Sequence, residues 1–162
     1  MTSPLLEARG LSLQRGGVDV LKNVSLTIQE NDVLALIGSN GSGKTSLMLA
    51  LARLMPVNRG EVLVCGETIR GKHAGLAYRR RLAMVFQDPL LLNGSVATNV
   101  ATGLTLRGMP RQELQERVDE ALELFGITGL SRRSAHSLSS GEARRVSLAR
   151  AFAMRPEMIF LD

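Results

Sequence analysis

The stretch that most constrains this chain is Gly38-Ser39-Asn40-Gly41-Ser42-Gly43-Lys44-Thr45. It fits the phosphate-binding pattern GxxxxGK[ST], which has physical meaning only between a strand and a helix. Both flanks answer to that test. Val33-Leu34-Ala35-Leu36-Ile37 is an apolar run that predicts a buried strand, and Ser46 to Leu54 is rich in helix formers. A glycine loop entering a helix N-terminus presents successive N–H groups and partial positive charge to an anion. Gly38, Gly41 and Gly43 are expected to supply positive φ and close backbone approach. Lys44 would reach the β- and γ-phosphates, and the Thr45 hydroxyl would face Mg²⁺. The bland reading, a Gly/Ser-rich turn with a chance lysine, leaves both flanks unexplained. The pattern predicts a nucleoside triphosphate as ligand.

Composition narrows the class. The 162 residues are 44% apolar and 22% charged, which suits one globular domain rather than a disordered chain. No apolar run approaches the ~20 residues of a membrane span, and Met1-Thr2-Ser3-Pro4 does not read as a signal peptide, so a cytosolic protein is expected. Cys65, the single cysteine, excludes an internal disulfide and is expected to be a buried strand residue. His73 and His136 have no metal-ligand spacing and read as loop or capping histidines. The net charge of +5 comes without a basic stretch interleaved with aromatics, so a solvated basic face is expected and no nucleic-acid partner.

Along the chain, residues 5–14 alternate loosely, Gly16-Gly17 makes a turn, and Val24 to Ile28 alternate strictly as a strand with one wet face. Glu61 to Cys65 and Leu82 to Phe86 predict further strands. Arg70 to Arg81 reads as a basic loop with at most a short helix. Helical spacing follows over Ser95–Leu106 and Arg111–Phe125, the latter with Leu114, Val118, Ala121, Leu122 and Phe125 on one face and Pro110 at its start. Gly126 to Ser137 is a polar connector. Ser140 to Met154 predicts a helix with Val146, Leu148, Ala149 and Phe152 apolar, and Met158 to Leu161 a last strand. This order predicts an α/β fold: a P-loop core over 1–87 and 138–162, with an antiparallel β region at its N-terminus and a helical subdomain inserted at 88–137.

Two further constellations accompany the phosphate loop. The apolar run Met158 to Leu161 ends on Asp162, where a carboxylate at a strand's end can hold Mg²⁺ opposite Lys44. Leu138-Ser139-Ser140-Gly141-Glu142 is a serine-glycine turn that opens a helix. Its amides and hydroxyls allow a second anion site. A plain N-cap, with Ser139 or Ser140 capping and Glu142 in the first turn, accounts for the same residues.

The phosphate loop, Val85-Phe86-Gln87-Asp88-Pro89, the Leu138–Glu142 segment and Phe160-Leu161-Asp162 occur in the order found in ATP-binding subunits of ABC transporters. The chain resembles that family over essentially its whole length. Leu138 to Glu142 is similar to the family signature LSGGQ, with Ser140 for the first glycine and Glu142 for the glutamine. The resemblance implies that Gly38, Ser39, Asn40, Gly41, Ser42, Gly43, Lys44 and Thr45 cradle ATP. It implies that Gln87 touches Mg²⁺ or the attacking water and senses a transmembrane partner. It also implies that Ser139, Ser140, Gly141 and Glu142 close over ATP held by a second ATP-binding subunit in a head-to-tail dimer. Thr45, Gln87 and Asp162 would hold Mg²⁺, and Gln87 and Asp162 would be catalytic.

Two departures qualify this. Where the family carries an adenine-stacking aromatic, this chain has Arg15, whose guanidinium plane can stack on a base. Arg15→Tyr is expected to bind ATP at least as tightly. The family's general-base glutamate follows the aspartate, and its switch histidine lies further on, whereas the sequence given stops at Asp162. The 162-residue piece, lacking strands that complete the core sheet, is expected to be marginally stable and to hydrolyse ATP very slowly or not at all. Transmembrane permease subunits are the implied partners, at the cytoplasmic face of a bacterial membrane, with an importer favoured over an exporter and an oxyanion or amino acid as the guessed solute. A soluble ABC-type ATPase would need a tandem copy or a long coiled-coil insertion. A non-hydrolysing nucleotide-binding remnant follows from the absent glutamate, and a P-loop kinase or GTPase leaves Leu138–Glu142 unexplained.

Overall fold

The computed structural model describes residues 3–69 and 71–162, which fall into two compact units, Met1–Arg80 and Arg81–Asp162. Met1, Thr2 and Arg70 lie outside the described residues, and with them part of the reading of the chain's start and the first residue of the expected basic loop.

The first unit is built on β1 (Leu6–Arg15), β2 (Val18–Ile28), β3 (Arg59–Val64) and β4 (Glu67–Thr68), in the antiparallel order β2-β1-β3-β4. Gly16 and Gly17, at φ 56° and 80°, make the two-residue hairpin that pairs Arg15 with Val18. Positive φ at both turn positions matches the right-handed strand twist. The loose alternation of β1 has a structural cause. Leu6 and Ala8 are buried, then Leu11 and Leu13, a slip of one residue across Gly10. Both of β1's ladders shift register there, as at a bulge. Opposite it, a Cβ on Gly60 would lie 2.4 Å from the Arg9 carbonyl oxygen, so only glycine fits.

Helix α1 (Lys44–Leu51) buries Leu47, Met48, Ala50 and Leu51. It stops at Ala52, and Arg53 turns the chain away with φ 53° while donating to the Ile69 carbonyl. The stretch read as a basic loop with room for a short helix forms α2 (Gly71–Arg80), a helix of ten residues. Its Tyr78 is buried and donates its hydroxyl to the Leu51 carbonyl at 2.8 Å.

Two expectations fail in this unit. Val33 to Ile37 is not a strand, and Val33 and Ile37 are 99% and 95% exposed. An apolar run becomes a strand only where a ladder partner satisfies its N–H and C=O groups, and no described strand pairs with it. Cys65 is exposed, not buried: it sits at φ 51° in the turn from β3 to β4, one residue past the last buried position, Val64.

The second unit pairs β5 (Leu82–Val85) with β6 (Met158–Leu161) in parallel, Leu82 opposite Met158 and Val85 opposite Leu161. At its entrance Arg81 and Glu157 form an ion pair at 2.7 Å. Helices α3 (Val96–Leu106), α4 (Arg111–Leu124) and α5 (Ser140–Ala153) pack around Val96, Val100, Leu104, Val118, Leu122 and Val146. The polar connector holds two 3-10 turns, at Thr128–Leu130 and Ala135–Ser137.

Phe152, expected on the apolar face of α5, is 39% exposed and meets Phe125 edge-on at 5.2 Å, while Ser147 is buried. The reason is close helix packing. A Cβ on Gly103 of α3 would lie 2.6 Å from the Met154 sulfur just past α5. The small residues Ala149 and Ala153 of α5 are buried in the three-helix cluster, and the large ring is left at the rim.

Candidate functional site

The phosphate loop runs without regular structure into α1, whose N-cap is Gly43 in the left-handed region at φ 92°. Gly41 is also left-handed, at φ 80°. Gly38 is not. A Cβ there would lie 2.7 Å from Ser42 Oγ, so a larger residue would require the Ser42 hydroxyl to rotate away. A Cβ on Gly43 would lie 2.9 Å from the Val20 carbonyl oxygen, so β2 closes the loop from behind. The loop is held by Ser42 N–H donating to the Ser39 carbonyl and by Leu47 N–H donating to Gly43. Lys44 Nζ donates to the carbonyls of Gly38 and Ser39 at 2.9 and 2.8 Å. An ammonium on a four-carbon stem folded over glycine backbone suits a triphosphate, since the same donors can turn to phosphate oxygens. Arg15 stands exposed at the end of β1 beside the hairpin.

In the second unit, Gln87 and Asp162 follow the carboxyl ends of two adjacent parallel strands, the edge where open α/β sheets bind ligands. Asp162 N–H donates to the Val85 carbonyl at 2.9 Å, extending the ladder one residue past β6. The pairing brings Gln87 and Asp162 to one edge. Among the described residues no cluster of three His, Cys, Asp or Glu side chains could hold a metal. A magnesium ion would then rely on one or two protein oxygens and on phosphate, as it commonly does.

The Leu138–Glu142 segment forms a capping box at the start of α5, with Ser139 as the capping residue. Ser139 is the N-cap of α5: its Oγ accepts from Glu142 N–H at 3.4 Å, while Glu142 Oε2 accepts from Ser139 N–H at 2.7 Å and from its hydroxyl at 2.8 Å. These bonds, the backbone one foremost, hold the Glu142 carboxyl below its ordinary range, with smaller help from Arg133. Arg133 pairs with Glu142 at 3.3 Å and donates to the Ser137 carbonyl at 2.7 Å. For a phosphate to use the Ser139 donors, Glu142 must release them. Ser140 and Gly141 lie exposed in the first turn.

Two residues outside the sequence motifs shape the segment after Gln87. Asn99, fully buried, exchanges hydrogen bonds with Leu92 N–H and C=O and also donates to the Ser95 carbonyl. Half-buried Arg150 donates to the Pro89 and Leu90 carbonyls. The available signal was an asparagine and an arginine set among apolar helix positions. His136 sits in the second 3-10 turn, its Nε2 2.5 Å from Asn93 Oδ1, a structural contact rather than a ligand position. A cavity of about 580 Å³ at the end of α1, lined by Arg53, Leu54, Met55, Glu61 and Thr68 among others, contains none of the predicted site residues.

A family model described as ABC transporter matches residues 21–162. The Fe(3+) ions import ATP-binding protein FbpC of Streptomyces coelicolor is 41% identical over 163 residues, covering 100% of this chain and 46% of that protein. The energy-coupling factor transporter ATP-binding protein EcfA of Methanothermobacter thermautotrophicus is 36% identical over 162 residues, covering 98% of this chain and 52% of that protein. The chain thus spans about half the length of the curated relatives it matches. Among solved structures, cbiO1 of Clostridium perfringens, part of the ABC transporter complex cbiONQ, superposes with a TM-score of 0.88 at 30% identity, covering 99% of this chain and 65% of that one. Motif order, fold and family match agree: the chain belongs to the ABC transporter ATP-binding family.

Proposed function

We propose that this chain forms the ATP-binding part of an importer-type ABC ATPase that energises solute uptake. The observation that carries the reading is the Gly38–Lys44 loop, with two left-handed glycines, a third beside Ser42 Oγ, and Lys44 folded over the loop at the start of α1. In this reading Gly38 to Thr45 bind the triphosphate of Mg²⁺–ATP, Arg15 stacks on adenine, and Thr45, Gln87 and Asp162 contribute oxygens to the ion. Ser139 to Glu142 act on nucleotide held by a second ATP-binding subunit. Residues 88–137 serve as the helical insert of a core formed by 1–87 and 138–162. ATP supplies the phosphoryl-transfer energy. The residues here bind and orient it, and hydrolysis by the 162 residues alone is expected to be negligible.

Permease subunits at the cytoplasmic face of the membrane are the proposed partners. No described helix of the chain is long and apolar enough to cross a membrane itself. FbpC is named for the import of Fe(3+) ions and the name of EcfA gives no solute, so no cargo is assigned to this chain.

The test is titration of the chain with ATP, with and without Mg²⁺, by isothermal calorimetry. Lys44→Ala should lose tenfold or more in affinity, roughly the value of one charge-assisted contact to phosphate. Equal affinity in wild type and Lys44→Ala would overturn the reading.

A further inference from the structure

Gln87 lies between two hydrogen-bonded main-chain anchors, each two residues away. On its N-terminal side, Val85 closes the β5–β6 ladder by accepting from Asp162 N–H at 2.9 Å. On its C-terminal side, the Arg150 guanidinium spans two successive carbonyls, Nη2 to Pro89 and Nη1 to Leu90, each at 3.0 Å. Leu90 is in the left-handed region at φ 45°, a conformation that needs outside support in a residue with a branched side chain. Arg150 lies in the last turn of α5, where a cation would ordinarily stabilise the helix's own carbonyl end. Instead it reaches out to another segment. Burial pushes its guanidinium down from its ordinary value, so the contact is made at a desolvation cost.

The far end of α5 is the Ser139–Glu142 cap, about 16 Å away along the axis at 1.5 Å per residue. The helix packs against α3 and α4 through Val146, Ala149 and Ala153. We infer that Arg150 is a positioning residue that ties the direction of Gln87 to the tilt of α5, making that helix a strut between the Ser139–Glu142 segment and the Gln87 edge. A planar fork fixes the directions of its two donors, whereas a lysine ammonium on its flexible stem reaches carbonyls without that fixed geometry. The role rests on the proposed Mg²⁺–ATP reading. It goes beyond it in assigning a mechanical task to a residue that need not touch nucleotide.

The test uses the full chain with Arg150→Met and Arg150→Lys, with folding of each checked by circular dichroism. Hydrogen exchange without nucleotide should show faster exchange over 88–92 in Arg150→Met, with the helix amides of α3 and α4 unchanged. In calorimetry, Arg150→Met should keep its affinity for Mg²⁺-free ATP within about twofold and lose roughly tenfold of the gain Mg²⁺ confers. That is the lower end of what removing a residue that orients a metal ligand costs. Arg150→Lys should fall between the two.

Unchanged exchange at 88–92 would overturn the tether itself. Faster exchange with an unchanged Mg²⁺ effect, or with equal loss for ATP with and without Mg²⁺, would overturn the positioning role. A wild-type chain that binds no ATP while Arg150→Met still loosens 88–92 would overturn the nucleotide reading, and the role with it, but not the tether.

Discussion

Ser139 and Glu142 are locked reciprocally: Glu142 Oε2 lies 2.7 Å from the Ser139 nitrogen and 2.8 Å from its hydroxyl, while the Glu142 N–H points back to that hydroxyl. The folded carboxyl therefore titrates below its ordinary value of 4.5. Because the folded value is the depressed one, the stabilisation is present above 4.5 and is lost as pH falls through the lowered folded value. Amide protection over 139–143, taken as the exchange rate relative to the intrinsic rate at each pH from about 6 to about 3, should fall on acidification in wild type. Glu142→Gln should flatten that response. Ser139→Ala should cost about 1 kcal/mol of stability in urea at neutral pH, the usual value of an N-cap.

The same lock bears on nucleotide. If Glu142 competes with phosphate for the Ser139 donors, Glu142→Gln weakens the competitor by removing its charge. ATP-dependent self-association, measured by analytical ultracentrifugation, should then be stronger in Glu142→Gln than in wild type. Ser139→Ala should weaken it.

The glycines of the phosphate loop separate two costs. Gly41→Ala meets nothing within 4 Å, so it should show only the left-handed backbone penalty of about 1–2 kcal/mol. Gly43→Ala carries the same penalty and also drives a methyl to 2.9 Å from the Val20 carbonyl oxygen. It should be the more destabilising of the two in thermal melts and should bind ATP more weakly.

Asn99 is fully buried and serves three main-chain groups at once. Asn99→Ala leaves those groups without their partner and should destabilise the second unit by about 1–3 kcal/mol. Leu104→Ala, at a fully buried position in the same helix, should cost about 2–5 kcal/mol by opening a cavity. Chemical denaturation with a probe in that unit checks both.

Val33 and Ile37 stand in water in a segment without ladder partners. In the 162-residue chain, Val33→Lys with Ile37→Lys should raise solubility and slow light-scattering growth, with little change in melting temperature.

Local chemistry alone determined much of this protein. The GxxxxGK[ST] spacing located the phosphate loop and the start of α1. The helical spacing of Val118, Ala121 and Leu122 located the buried face of α4, and Gly16-Gly17 located the β1–β2 hairpin. Each of these is set by neighbours within a turn or two. Only the tertiary structure decided the rest, because it depends on partners distant in sequence. Val33–Ile37 has strand composition but no ladder to join. Gly38 has no left-handed φ and meets Ser42 Oγ instead, and Cys65 is exposed because β3 ends at Val64. The placement of Gln87 beside Asp162 comes from parallel pairing across more than seventy residues of intervening chain, and the hold of Arg150 on Pro89 and Leu90 from the packing of α5. Periodicity reports which face of a segment is apolar. It carries no information about which backbone atoms that face will meet, and that is the physical reason the motifs were legible and their mutual geometry was not.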